Sequence, residues 1–244
     1  MPNYVKIEAL RMLRNRRYVI FVVGFPVVFY LIFSSIWGDG AGIGGGRAAA
    51  VLMVSMGAYG AIAAAMMSTA VPWAQERRSG WLRQLRVTPL RGWSIIVVKL
   101  ISSLLLVLPS LLLVCLAAVL TQGVRLPAGQ WLSLVLLLWL GVVPFAALGL
   151  VIGSLLTGDT AQSVAMISMF GLAILGGLWF PVEIMPEAMR NVAQVLPSFH
   201  YADIGRHIVA GDAPPPSDVV TLAAWTVALC AAAVFAYRRA LARS

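Results

Sequence analysis

The sequence predicts an all-α integral membrane protein, and three observations carry that prediction. Six long apolar stretches fill the chain, and arginine is absent from every one of them. Hydrophobic residues make up 61% and charged residues 11%, whereas soluble domains run nearer 45–50% apolar and about 25% charged. The apolar runs are continuous, as in Leu104–Leu108 and Leu134–Leu140. A membrane barrel would instead alternate apolar and polar positions. Helices satisfy their own backbone groups where lipid offers no partners, so these runs read as helices.

The elements follow in order. Residues 1–17 predict an amphipathic helix at the membrane interface: Ile7, Leu10 and Leu13 share a face, and Arg11, Arg14, Arg16 and Arg17 suit anionic headgroups. Spans are expected at about Tyr18–Trp37, Ala48–Val71, Ile95–Thr121, Trp131–Leu156, Ala161–Phe180 and Val219–Tyr237. Each approaches the roughly 20 helical residues that cross a hydrocarbon core. The first is longer than the roughly 7–15 apolar residues of a secretory signal, so an uncleaved span is expected. Pro26, Pro109 and Pro144 are positions where helices kink or break. Small residues suited to close helix approach are Gly57, Gly60 and Ala64 in the second span, and Gly171, Gly176 and Gly177 in the fifth. Residues 181–217 are too polar to span; they predict one or two short helices dipping toward the membrane, with joints at Pro186 and Pro197 and a stiff Pro214–Pro216 spacer. The whole chain, 1–244, forms a single membrane unit.

Basic residues set the expected orientation. Lys6, Arg11, Arg14, Arg16, Arg17, Arg77, Arg78, Arg83, Arg86, Arg91, Lys99, Arg238, Arg239 and Arg243 fall on the side of the N-terminus. Only Arg47, Arg125, Arg190 and Arg206 fall opposite. Lysine and arginine in short loops stay cytoplasmic, so both termini of this multi-pass membrane protein are expected inside. The net charge of +9 is then a topology signal. It is not a nucleic-acid footprint, which would need the basic residues gathered on a soluble face.

Several chemistries lack their residues. No Asp, Glu, Lys or Arg lies near the centre of a span, whereas proton-coupled pumps place ionisable groups there. No G-x-x-x-x-G-K-[ST] occurs, so energy input must come from another chain. Ser154 and Ser168 have no histidine or lysine within a span to activate them, and H-E-x-x-H is absent, so no catalytic residue is assigned. His200 and His207 sit seven residues apart without clustered cysteine or carboxylate in the sequence, so no metal is expected. Cys115 and Cys230 lie in apolar spans and act as small hydrophobes.

Residues 73–93 form the longest cytoplasmic loop on this reading. There Trp81, Leu82 and Leu85 share one side of a short helix and Arg83 and Arg86 project from the other, until Pro89 ends it. One reading is a lipid-facing interfacial helix that needs no partner. The run Glu76-Arg77-Arg78-Ser79-Gly80-Trp81-Leu82-Arg83-Gln84-Leu85-Arg86-Val87-Thr88-Pro89-Leu90 also resembles the cytoplasmic loop of ABC-2 type transporter permeases, whose pattern is close to E-R-E-x-G-T-L-E-x-L-x-x-T-P-L. The basic N-terminal segment, the six spans and the outer segment with Pro181, Pro186 and Pro197 are similar to that family too.

The resemblance implies the transmembrane subunit of an ABC exporter for a small hydrophobic or amphipathic molecule, such as a drug, antibiotic or lipid. It implies two permease copies, as homodimer or heterodimer, and separate ATP-binding subunits that carry ATP and Mg while this chain binds no cofactor. Glu76, Arg77, Gly80, Leu82, Leu85, Thr88 and Pro89 match the family's ATPase-docking pattern, with Arg86 beside them; Arg78, Trp81 and Arg83 depart from it. Those departures leave little negative charge, so an unusually acidic ATPase cleft is expected. A substrate path between permease copies would involve Tyr59, Ser68, Ser163, Met166 and Ser168, residues that could equally pack against neighbouring helices. The alternative function is a membrane-embedded assembly or scaffold protein without transport.

Overall fold

The structure, a computed structural model, describes residues 20–37, 45–79, 92–180 and 182–242. The described residues contain helices and no strand. A π-helical turn, Ile20–Gly24, leads into α1 (Phe25–Trp37). Then come α2 (Gly45–Arg78), α3 (Gly92–Gln122), α4 (Ala128–Leu140), α5 (Val143–Leu155) and α6 (Gly158–Leu175). A 3-10 turn, Val182–Ile184, precedes α7 (Glu187–Ala193), α8 (Pro197–Ala210) and α9 (Pro216–Ala242). Among the described residues, five stretches are long and apolar enough to cross a membrane: Arg47–Arg78, Ile96–Gln122, Ala128–Leu155, Gly158–Leu175 and Pro216–Arg239. Val22–Ile36 is apolar but shorter. The expected residues 1–17 helix lies outside the described residues.

Helix α2 is the hub. It packs against α1, α3, α5, α6 and α8, and α9 packs on α5 and α8. The run Met53–Met66 is buried throughout. Its side chains are largely Ala, Gly, Ser and Met. Lipid tails are as apolar as leucine, so helices here associate through close packing, which small side chains permit.

Prolines decide where three of these helices meet. Pro26 has no N–H for the carbonyl of Val22, four residues back. The Ser110 hydroxyl of α3 donates to that carbonyl at 3.2 Å. Gly60 of α2 faces both partners, and a Cβ there would lie 2.5 Å from Ser110 Oγ and 2.9 Å from Pro26 Cγ. The expected fourth span is two helices, broken at Gly141–Val142, with Pro144 in the first turn of α5. Pro144 cannot donate to Leu140, and at the break the Tyr201 hydroxyl of α8 donates to the Leu138 carbonyl.

Three expectations need correction. The second span does not stop at Val71: α2 runs through Pro72 to Arg78, so Trp73–Arg78 is helix rather than loop. The fifth span stops at Leu175 rather than Phe180, because Gly176 turns the chain and Gly177 takes a left-handed φ of 72°. The outer segment has its joints near Pro186 and Pro197, yet its anchor is α8. Tyr201, Ala202, Ile204 and Ile208 are buried, whereas Ile184, Val192 and Val195 are exposed.

Candidate functional site

The last turns of α2 meet three other helices at one end of the bundle. Trp73 is buried, donates its indole N–H to Ser154 Oγ of α5 at 2.8 Å, and lies 5.5 Å from the Tyr237 ring of α9. One turn on, Arg77 Nη1 donates to the Gly153 carbonyl at 2.8 Å and the Leu156 carbonyl at 3.4 Å. The end of α5 leaves its last carbonyls without helical donors and carries the negative pole of its dipole, so the guanidinium satisfies both needs. Glu76 Oε1 accepts from Lys99 Nζ of α3 at 2.6 Å. Lys99 is 1% exposed and Glu76 9%. Removing two charges from water has a large desolvation cost, which a pair offsets only when contact is close.

This junction depends on glycines in α5. A Cβ on Gly153 would stand 2.4 Å from the Ala70 carbonyl oxygen, and one on Gly149 would stand 2.1 Å from Thr69 Oγ1. The two glycines are four residues apart and form one contact face toward α2. A small-x-x-x-small search along the fourth span would have found them. The reading of the second and fifth spans missed them, and Gly171, which it named, has no atom within 4 Å of a Cβ.

Of the sequence-based docking residues, the structure describes Glu76, Arg77 and Arg78. Glu76 and Arg77 turn into the bundle, and Arg78 is exposed. Gly80, Trp81, Leu82, Arg83, Leu85, Arg86, Thr88 and Pro89 lie outside the described residues. The geometry therefore presents a braced helix end that immediately precedes residues 80–91 in sequence.

The five path candidates divide between α2, which carries Tyr59 and Ser68, and α6, which carries Ser163, Met166 and Ser168. Tyr59 is buried in an aromatic cluster, 5.9 Å from the Phe25 ring and 5.4 Å from the Trp179 ring. Ser68 is buried and donates to the Ala65 carbonyl. Helix α6 buries Ala161, Ala165, Met169 and Ala173 in a stripe at one-turn spacing. Ser163 and Met166 are exposed, and Ser168 is half-buried. Ser163 donates to the Asp159 carbonyl.

At the opposite end, α8 and the start of α9 gather both histidines with carboxylates. His200 Nδ1 lies 2.8 Å from Asp218 Oδ1 and its Nε2 2.8 Å from the Gln194 carbonyl. His207 Nδ1 lies 3.2 Å from Asp203 Oδ2. The expectation that these histidines lack carboxylate company fails, because Asp218 comes from a separate helix that folds back against α8.

Comparison with known proteins agrees with this architecture. The chain is 28% identical over 219 residues to "Putative transport permease YvfS" of Bacillus subtilis, an alignment covering 89% of each protein. It is also 28% identical over 165 residues to "Probable multidrug ABC transporter permease YbhR" of Escherichia coli, covering 66% of this chain and 43% of that protein. The family model described as "ABC-2 family transporter protein" matches residues 43–237, and the chain belongs to that family as a multi-pass membrane transport permease.

Proposed function

We propose that this permease is the membrane subunit of an ATP-driven exporter. Its cargo is a small hydrophobic or amphipathic molecule, and its work comes from a separate ATP-binding subunit that engages residues 80–91. The supporting observation is the bracing of the α2 end: Trp73, Glu76 and Arg77 tie it to α5, α3 and α9. A push delivered next to Arg78 is then carried by α2, the helix on which α1, α3, α5, α6 and α8 pack. Packed helices shift as rigid bodies, so motion at the loop reaches the opposite end of the bundle.

In this reading both termini and residues 80–91 are cytoplasmic, in keeping with the basic residues on that side. A second copy completes the path across the outward face of α6, which carries Ser163 and Met166. Beyond Asp159 in its first turn that face carries no charged residue, which suits an apolar cargo better than an ionic one.

The test is co-purification followed by transport. The tagged permease should bring down an ATP-binding subunit, and proteoliposomes holding both should move a hydrophobic fluorescent substrate on ATP addition. Leu85→Asp should remove both the partner and the movement while insertion stays normal. Purification with no ATPase, or transport unchanged by Leu85→Asp, would end this reading.

A further inference from the structure

The cluster joining α8 to α9 has the composition and geometry of a cation site, and it lies apart from the α2 junction. Asp203 and His207 stand one turn apart on α8, and Asp218 sits in the first turn of α9. One ligand atom from each of these three residues falls within 4.8 Å of the other two. Two carboxylates this close repel one another unless a proton or a cation lies between them.

The carboxylate oxygens are unevenly satisfied. Asp203 Oδ1 accepts from Arg206 Nε at 3.1 Å, while Arg206 Nη1 is spent on the Gly177 carbonyl at 3.4 Å. Asp203 Oδ2 lies 3.2 Å from the His207 ring, whose same nitrogen lies 3.0 Å from the Asp203 carbonyl, and the Asp203 side chain also meets the Asp218 carboxyl. Asp218 is 6% exposed; its Oδ1 meets His200, and its Oδ2 is buried with no N–H donor among the described residues, the Asp203 carboxylate standing beside it. A buried carboxylate oxygen with no donor is costly, and native structures seldom leave one so.

We propose that Asp203, His207 and Asp218 bind a divalent transition-metal ion of the zinc class, which pins α8 to α9. One imidazole and two carboxylates are a borderline donor set. It suits zinc better than calcium or magnesium, which prefer oxygen alone. Three protein ligands leave a position for water. His200 does not bind the ion. It is a positioning residue that holds Asp218 by Oδ1 and is itself oriented by the Gln194 carbonyl, as the outer partners of metal ligands commonly are. The ion would close the turn Gly211–Pro215 across its two ends and fix the segment that covers this end of the bundle.

Isolated permease is enough to test this, so the outcome does not depend on the ATP-binding subunit. Full-length chain in lipid nanodiscs is stripped with a chelator and titrated with Zn²⁺ alone, with bound metal counted after gel filtration. The expected result is one zinc per chain. Asp218→Asn and His207→Gln should each weaken binding at least about tenfold, and Cys115→Ser with Cys230→Ser should leave it unchanged. Co²⁺ should give visible absorption bands without the intense thiolate band, lost in His207→Gln. Protein that takes up no zinc, or takes it up equally in both ligand variants while eluting like the parent, would overturn the site. It would leave a carboxylate pair joined by a shared proton. Unfolded variants would not rescue the proposal, because stoichiometric binding by the parent chain is required.

Discussion

Lys99 Nζ and Glu76 Oε1 lie 2.6 Å apart, both buried, joining the end of α2 to the first third of α3. The pair sits one residue before Arg77, whose guanidinium caps α5. Breaking a buried pair from one side typically costs about 3–5 kcal/mol. Lys99→Ala should therefore destabilise the permease by about 3–5 kcal/mol, read as a lower apparent Tm in nanodiscs. The exchange Glu76→Lys with Lys99→Glu should regain part of the loss. A Lys99→Ala protein as stable as the parent would show that the pair does not brace this end.

Contact between α2 and α5 should be intolerant of a methyl group. Gly153→Ala puts a Cβ against the Ala70 carbonyl oxygen, a backbone atom that cannot swing away. Overpacking of this sort costs about 1–3 kcal/mol. Gly171→Ala meets no atom within 4 Å and replaces a poor helix former. It should be neutral or stabilising by up to about 1 kcal/mol. Thermal unfolding of the two single variants side by side checks the contrast.

Pro26 and Ser110 form a matched pair across α1 and α3. Ser110→Ala removes the donor to Val22 and should cost about 1 kcal/mol. Pro26→Ala returns the missing helical N–H, so the double variant should lose less than the two singles combined. A double-mutant cycle reads that coupling directly. Strict additivity would mean that the hydroxyl does not compensate for the proline.

The outer segment should matter for export and not for insertion. Deleting Glu187–Leu196 removes α7 and the Gln194 carbonyl that orients His200. In the proposed exporter, transport should fall to background while the ATP-binding subunit still co-purifies. Normal export by the deletion would show that this segment has no part in release.

Much of the fold was legible because the bilayer imposes a length on apolar helices. The expected span Ile95–Thr121 lies within α3, Gly92–Gln122, and Val219–Tyr237 lies within α9, Pro216–Ala242. Proline joints in the outer segment were readable for the same local reason: proline cannot continue a hydrogen-bonded turn. Features that depend on contacts between distant residues were not. Residues Trp73–Arg78 read as loop because they are polar and follow Pro72. They are helical because Ser154, the Gly153 carbonyl and Lys99 satisfy them from other helices. Likewise, no spacing pattern joins Asp218 to His207, since the chain reverses at Gly211 between them. The motif at Glu76–Leu90 indicated the family from residue types and spacing alone.

The central claim is that mechanical work enters beside Arg78 from the cytoplasm, and sidedness tests it most directly. With Cys115→Ala and Cys230→Ala as background, a single cysteine at Gln84 is challenged with a membrane-impermeant maleimide. The account predicts labelling in inside-out vesicles, none in intact cells, and protection when the ATP-binding subunit is bound. Labelling of intact cells would contradict it.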